Sequence, residues 1–460
     1  MLRSFLPTFT VAIALTFGVV SCSTQTPHSS LPLATVRTAT MDITPGIEVL
    51  TRVALPDGFF PSADYPPMWL QAGQEVGIVG TQNGHALVMG YGGIGYRTAR
   101  VIAQDGGVGA PDASIVDLAP SPNGMVLALA VANSKERRLD VVTRDLISQG
   151  AASPVSNFDG DFDSVSIGWL SEFNASLALR THLESEAARE SATVPDSTPT
   201  PESNPAPSPA ASSGLYVINL SGVVTTGYMK LDCQMSQLSW SPDGLVAVGS
   251  GDAEALPTII DRGKESCRRI NAPTTLRVLD WAHDSKSFLY EETERTPGTA
   301  AYRFDLASGA ARLVAISSGA AAFVSDDQVL ALGNGALTFR DAQRAPDGPV
   351  RAELALSNPS GTNTEVESLG FNSTPAMLAA SKMTYTHETD EAAIATFGPT
   401  TEGPMRKLVI YSVAPRRAFL VAFGSLRGIL AMSWSPQGRY LAIVDGDGTA
   451  SALTIIFPPR

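Results

Sequence analysis

Positive charge is in short supply in this chain: 32 Lys and Arg stand against 45 Asp and Glu, a formal net charge of −13. A surface of that sign repels nucleic-acid backbones and anionic lipid, so no nucleic-acid partner and no electrostatic hold on a membrane is expected. Charged residues of either sign make up only 17% and hydrophobic ones 44%, which excludes a chain disordered throughout. The usual catalytic spacings are missing as well. The five histidines, His28, His85, His182, His283 and His387, form no HxxxH or HExxH pair, and no GxSxG occurs. Neither a zinc-hydrolase helix nor a nucleophile elbow is supported. Helical stripes are also lacking, whereas 40 Gly and 32 Pro divide the chain into short segments that alternate with period two. That pattern speaks against a helical bundle and for an all-β fold.

At 460 residues the chain exceeds what one compact core usually holds, so several domains or one repeat-built architecture is expected, not a minimal binding module. Its start carries an address. Arg3 gives a positive beginning, and Phe9 to Val20 is an apolar run too short to cross a bilayer core but suited to an export signal. The end of that run, Val19-Val20-Ser21-Cys22, resembles the bacterial lipobox. The resemblance implies that residues 1–21 are a lipoprotein signal peptide and that Cys22 is acylated and becomes the new N-terminus. Its acyl chains then hold the protein on an extracytoplasmic surface of a bacterial cell envelope. The other reading is an ordinary cleaved secretory peptide with a chance cysteine. Ser23 leaves the membrane leaflet open. Residues 22–45, rich in Ser, Thr and Pro, read as a flexible tether.

A repeat runs through residues 46–460. Each of the five tryptophans, Trp69, Trp169, Trp240, Trp281 and Trp434, ends a short apolar segment and is followed by turn residues. Trp240-Ser-Pro-Asp-Gly244 and Trp434-Ser-Pro-Gln-Gly438 are nearly identical, and Pro120-Ser-Pro-Asn-Gly124 shares their tail. Looser copies start at Trp69, Trp169, Trp281, Phe323 and Phe371, which makes eight. Their separations mostly fall near 40 to 50 residues, the period of a four-stranded propeller blade. The physics fits: a flat side chain fills the wedge between blades, the Ser-Pro-X-Gly turn reverses the chain, and the next strand returns apolar.

Trp-Ser-Pro-Asp-Gly resembles the signature of the TolB-like and WD40-like propeller repeats. The resemblance implies a single β-propeller of four-stranded blades, eight favoured and seven possible. The last unit is short: after Trp434 only Tyr440-Val444 and Ala450-Phe457 remain. The strand-like segment Ile47-Leu55 precedes the first motif and belongs to no unit. It is expected to complete the last blade and close the ring.

Two insertions interrupt the pattern. Residues 183–213, with six prolines and no aromatic residue, are expected to be disordered. A second excursion, His387 to Met405, is read between Met377-Thr386 and Lys407-Val413. Both are taken to join second and third strands and so to overhang one face, where ligands meet such loops or where the Pro-rich segment is simply tolerated.

The remaining constellations are modest. Cys233 and Cys267 are an exported even pair, which favours a disulfide, yet the strand reading puts them at opposite ends of the fourth blade. Gly90-Tyr-Gly92-Gly-Ile-Gly95 matches a dinucleotide-binding pattern but leads into a strand, so it reads as a turn. Asp159, Asp161 and Asp163 alternate as ligands of an oxygen-loving cation would; turn chemistry is preferred, with a Ca²⁺ site as the residual reading, and no other cofactor is expected. Asp445-Gly-Asp447-Gly448 is read as a turn. His283 is assigned a structural turn role, and Glu291, Glu292 and Glu294 a solvated edge.

Together these features describe a monomeric, membrane-anchored envelope lipoprotein whose propeller serves as a scaffold for a protein or glycan partner. One rival is a propeller enzyme of hydrolase or lyase type, its groups scattered over blades and converging in the central funnel. The other is a sensor of a small ligand or Ca²⁺.

Overall fold

In the computed structural model the described residues are 48–63, 65–108, 111–148, 150–171, 174–181, 214–219, 224–230, 237–250, 257–270, 276–292, 300–315, 320–333, 336–341, 352–354, 382–396, 407–412, 417–421 and 428–458. The apolar segments among them are strands. Two three-residue 3-10 turns, Gln71–Gly73 and Ile94–Tyr96, are the remaining regular elements. The strands make eight antiparallel sheets in chain order, four-stranded apart from the first, in which Phe59–Pro61 and Met68–Leu70 both pair with Glu75–Gln82. The fold is a β-propeller.

Val126–Asn133 shows how the sequence builds the stack. Leu127, Leu129 and Val131 belong to a core shared with the first sheet, Ala128 and Ala130 to one shared with the third, and all five are fully buried. A strand covered on both faces reads as an unbroken apolar run, with its two parities serving different interfaces. Later sheets repeat the arrangement: Ala178 shares a core with Ala247, Val248 with Phe288, Leu289 with Phe323, and Ala393 with Ile443. Trp69 of the first sheet and Val444 of the eighth also share one.

The segment expected to complete the last blade does pair there. Glu48–Ala54 lies antiparallel to Ser451–Phe457, with Val53 opposite Leu453, and extends the sheet of Ile429–Trp434 and Leu441–Gly446. A strand from the beginning of the chain thereby covers the edge left at its end.

The tryptophans share one placement. Each indole N–H reaches the sheet before its own: Trp169 to the Ala119 carbonyl (2.9 Å), Trp240 to Ser176 Oγ (2.9 Å), Trp281 to Ser239 Oγ (3.0 Å) and Trp434 to the Thr384 carbonyl (3.1 Å). For Trp69 the preceding sheet is the eighth, and its N–H meets the Ser433 carbonyl at 3.2 Å. Behind the aromatic position, Ser121, Ser241 and Ser435 accept the N–H of Val126, Val246 and Tyr440 through Oγ, each at 3.0 Å. Gly124 then lies at φ 66° against the previous sheet, where a Cβ would stand 2.8 Å from the Trp69 carbonyl. Left-handed backbone and close neighbour both call for glycine.

The seventh sheet corrects the sequence reading. Its first strand is Lys382–Thr386 and its second Glu391–Thr396. The excursion read from His387 to Met405 therefore contains a first turn, residues 387–390, and a whole strand. Alanine-rich Glu391–Thr396 has little intrinsic strand preference and is held by burial of Ala392, Ala393, Ile394 and Ala395. Phe371, read as that sheet's aromatic position, is outside the described residues. Residues 183–213 are too, apart from the observation that their flanks, Asn174–Thr181 and Gly214–Asn219, are second and third strands of the third sheet.

Candidate functional site

The fifth, sixth and seventh sheets open with hairpins of unequal length. Leu276–Trp281 and Ser287–Glu292 are joined by residues 282–286, and Lys382–Thr386 and Glu391–Thr396 by 387–390. Ala320–Ser325 and Gln328–Gly333 need only Asp326 and Asp327. The two longer turns project past the short one and meet. His283 from one and His387 from the other stack edge to face, ring centroids 4.2 Å apart at 70°. Tyr385 packs edge-on to His387 at 4.8 Å and donates its hydroxyl to Asp390 Oδ1 at 2.7 Å. The Asp284 amide donates to Asp326 Oδ1 at 3.1 Å and ties the fifth turn to the sixth. Both turns also hold a non-glycine at positive φ, Ser285 at 58° and Asp390 at 52°, a backbone cost that persists only where surrounding structure imposes it.

Asp280 anchors the cluster from the inner strand of the fifth sheet. Its Oδ1 accepts the N–H of Trp281 at 2.9 Å and its Oδ2 that of Phe323, in the sixth sheet, at 2.7 Å. Burial pushes its pKa up to about 6, against the opposing pull of those two N–H groups and of His283. His387 is drawn below its ordinary value by burial and then by His283, while Asp390 and Glu388 act the other way. Burial also raises Tyr385, as does its bond to Asp390. The arrangement places an imidazole held below its ordinary pKa beside a second imidazole, with the raised carboxyl of Asp280 near enough to act on His283 and Tyr385. It can accept a proton at one nitrogen and supply one from a neighbour. His283 is exposed, and His387, partly covered by its neighbours, keeps enough exposed surface to meet a solute.

Other residues singled out in the sequence fall elsewhere. Asp159 ends the strand Ser153–Asp159, Asp161 forms an ion pair with Arg137, and Asp163 lies on Phe162–Ser171. Among the described residues no group of three His, Cys, Asp or Glu is placed to hold a metal ion. Cys267, on the outermost strand of the fourth sheet, is disulfide-bonded; Cys233 and Cys22 are outside the described residues. The glycine pattern read as a turn is only half one: Gly90 and Gly92 close the strand His85–Gly92, and Gly93 and Gly95 make the turn into Thr98–Gln104, with no α-helix after it. The expected solvated acidic edge is a correction: Glu291 and Glu292 are buried, since Ser287–Glu292 is a second strand covered on both sides. Glu291 is paired with Arg277 at 2.5 Å, and burial raises its pKa against that pairing.

The sequence alone gives His283 a structural turn role and puts His387 at the root of an insertion. What brings them together is the position each occupies in the first hairpin of its sheet. That equivalence becomes legible once Lys382–Thr386 is recognised as an inner strand.

Comparison with known proteins gives similarity at the level of fold. No protein-family description matches the chain, nor does any curated protein. A solved oligogalacturonate lyase in complex with manganese is 12% identical, covering 92% of this chain and 98% of its own, with a TM-score of 0.49. A prolyl endopeptidase structure is 14% identical over 85% of this chain and 54% of its own, with a TM-score of 0.45.

Proposed function

We propose that this propeller is an envelope enzyme of the hydrolase or lyase type, anchored to the membrane through acylated Cys22, with His283 and His387 as its acid–base pair. The single observation that carries the reading is the meeting of those two imidazoles, 104 positions apart in the chain and from non-consecutive sheets. A passive scaffold has no need of such convergence, so the scaffold reading takes second place. Tyr385 and Asp390 position His387, and the propeller supplies a rigid frame for turns that come from three sheets.

The test uses full-length protein extracted in detergent and incubated with envelope glycans and peptides, with products followed by mass spectrometry. A cleaved product is expected, formed about 100-fold or more slowly by His283→Ala and His387→Ala with unchanged far-ultraviolet dichroism. Unaltered turnover in both variants, or no product from any substrate, overturns the reading. Cys22→Ser tests the anchor: labelled fatty acid should no longer be incorporated and the protein should leave the membrane fraction.

A further inference from the structure

The first sheet carries a second concavity, separate from the histidines. A cleft of about 550 Å³ opens between its first and third hairpins, among Gln71, Gln74, Glu75, Ile94, Tyr96 and Arg100. In an up-and-down sheet those two hairpins lie at the same end, so the cleft opens on the face that also carries the turns of His283 and His387. Its walls are strained. Of the eight non-glycine residues with positive φ among the described residues, three are here: Gln71 at 50°, Ala72 at 53° and Tyr96 at 56°. Such backbone concentrates where a fold holds an unusual shape for a ligand.

The floor is a preorganised polar cluster. Arg100 donates Nε to Glu75 Oε1 and Nη2 to Oε2, both at 2.6 Å, and Gln71 Nε2 adds a bond to Oε2 at 3.0 Å. The Leu146 carbonyl of the second sheet accepts from Gln71 at 2.9 Å and from Arg100 at 3.1 Å, which fixes both side chains. Glu75 is buried, and its charge is matched by that of Arg100. Both Glu75 oxygens are already bonded and the guanidinium is already neutralised, so a charged ligand would shed its hydration without gaining an unpaired counter-charge; a neutral ligand meets no such penalty.

Among the described residues, hydrogen-bonding capacity is left over in both senses: the Nη1 hydrogens of Arg100 as donors, Gln71 Oε1 as acceptor, and the Gln74 amide as both. A hydroxyl is donor and acceptor at once and fits such a mixed set. At the rim Ile94 is 99% exposed, a large apolar side chain held in solvent by its turn, while Tyr96 is fixed by its bond to the Gly73 carbonyl at 2.6 Å. Polar floor and apolar lip match the two characters of a sugar ring, its hydroxyl edge and its C–H face. We propose that this cleft binds a neutral saccharide, either a free sugar or one unit of a glycan chain. The proposal does not depend on the acid–base reading.

Isothermal titration of detergent-extracted full-length protein tests it, with glucose, N-acetylglucosamine, maltotetraose, cellotetraose and chitotetraose as probes, and with glucuronate and glucosamine as charged comparators. At least one neutral probe should bind saturably, and about tenfold more weakly to Gln74→Ala and to Ile94→Ser, both surface changes that leave the floor intact. His283→Ala should bind it unchanged. Tighter binding of a tetraose than of its monomer assigns the site to a glycan chain, and equal binding to a free sugar. The proposal is overturned if no neutral probe saturates, if the charged sugars bind more tightly, or if both rim variants keep full affinity.

Discussion

Arg52 and Asp445, 393 positions apart, meet in a two-point ion pair, Nη1 to Oδ1 and Nη2 to Oδ2 at 2.8 Å each, with Arg52 7% exposed and Asp445 fully buried. Thr454 Oγ1 on the strand between them accepts a third bond from Arg52 at 2.6 Å. The pair spans the sheet in which the two ends of the propeller join, so one buried charge vouches for the placement of each end. Arg52→Met takes this two-point pairing away from the buried Asp445 carboxylate and should cost about 3 to 5 kcal/mol in urea unfolding. Replacing both, Arg52→Met with Asp445→Leu, should restore most of that loss. A single variant as stable as the native protein would show that the join does not depend on the pair.

The motif glycine is open to a controlled comparison. Gly124 and Gly84 both have positive φ, 66° and 80°, but a Cβ at Gly84 meets nothing within 4 Å, whereas one at Gly124 presses on the Trp69 carbonyl. Gly84→Ala should cost roughly 1 kcal/mol from backbone strain alone. Gly124→Ala should cost at least about 1 kcal/mol more, because the inter-sheet contact must open. Equal losses would mean that the turn's conformation, and not its neighbour, selects glycine.

The indole bonds separate polar from apolar contributions. Trp281→Phe keeps a ring in the core with Phe288 but removes the N–H donated to Ser239, and about 1 to 2 kcal/mol should be lost. Trp281→Ala also empties the space, and about 3 to 5 kcal/mol should go. The two midpoints in a denaturant series should therefore be clearly resolved.

Asp280 gives the stability a pH signature. Its pKa is about 6 in the folded chain against an ordinary 3.8, so the folded state binds more protons between those values. Stability contributed by this group is complete below about pH 4 and lost as pH rises through 6. Asp280→Asn does not titrate, so its stability relative to the native protein should improve by up to about 3 kcal/mol between pH 4 and pH 8. A gap that stays constant with pH would place the carboxyl's titration elsewhere.

Much of the fold is legible in the amino-acid sequence. In the fifth unit the apolar segments between turn residues, Arg277-Trp281, Ser287-Glu291, Ala300-Leu306 and Ala311-Ile316, read as four strands from the sequence alone, and the strands Leu276–Trp281, Ser287–Glu292, Ala301–Asp305 and Ala311–Ala315 start within one residue of each. Tryptophan and the Ser-Pro-X-Gly turn are local chemistry, and local chemistry is visible in a string of letters. The seventh unit is not legible in this way because its first hairpin has neither: Tyr385-Thr386-His387 replaces the aromatic-Ser-Pro run, and alanine replaces the branched residues of the strand that follows. The burial of Glu291 and Glu292 is hidden from the sequence for a related reason, since burial depends on what covers a strand and not on its own composition.

The amino-acid order alone determined that small antiparallel sheets would form, where most of them turn, and that the segment before Trp69 would be needed by the segment after Trp434. Those outcomes follow from side-chain periodicity and from the steric demands of a few turn residues. Tertiary structure decided which distant groups touch: Arg52 with Asp445, His283 with His387, and Glu75 with Arg100 over the carbonyl of Leu146. Such meetings depend on relative hairpin lengths and on the rotation from one sheet to the next, quantities that belong to the assembled stack.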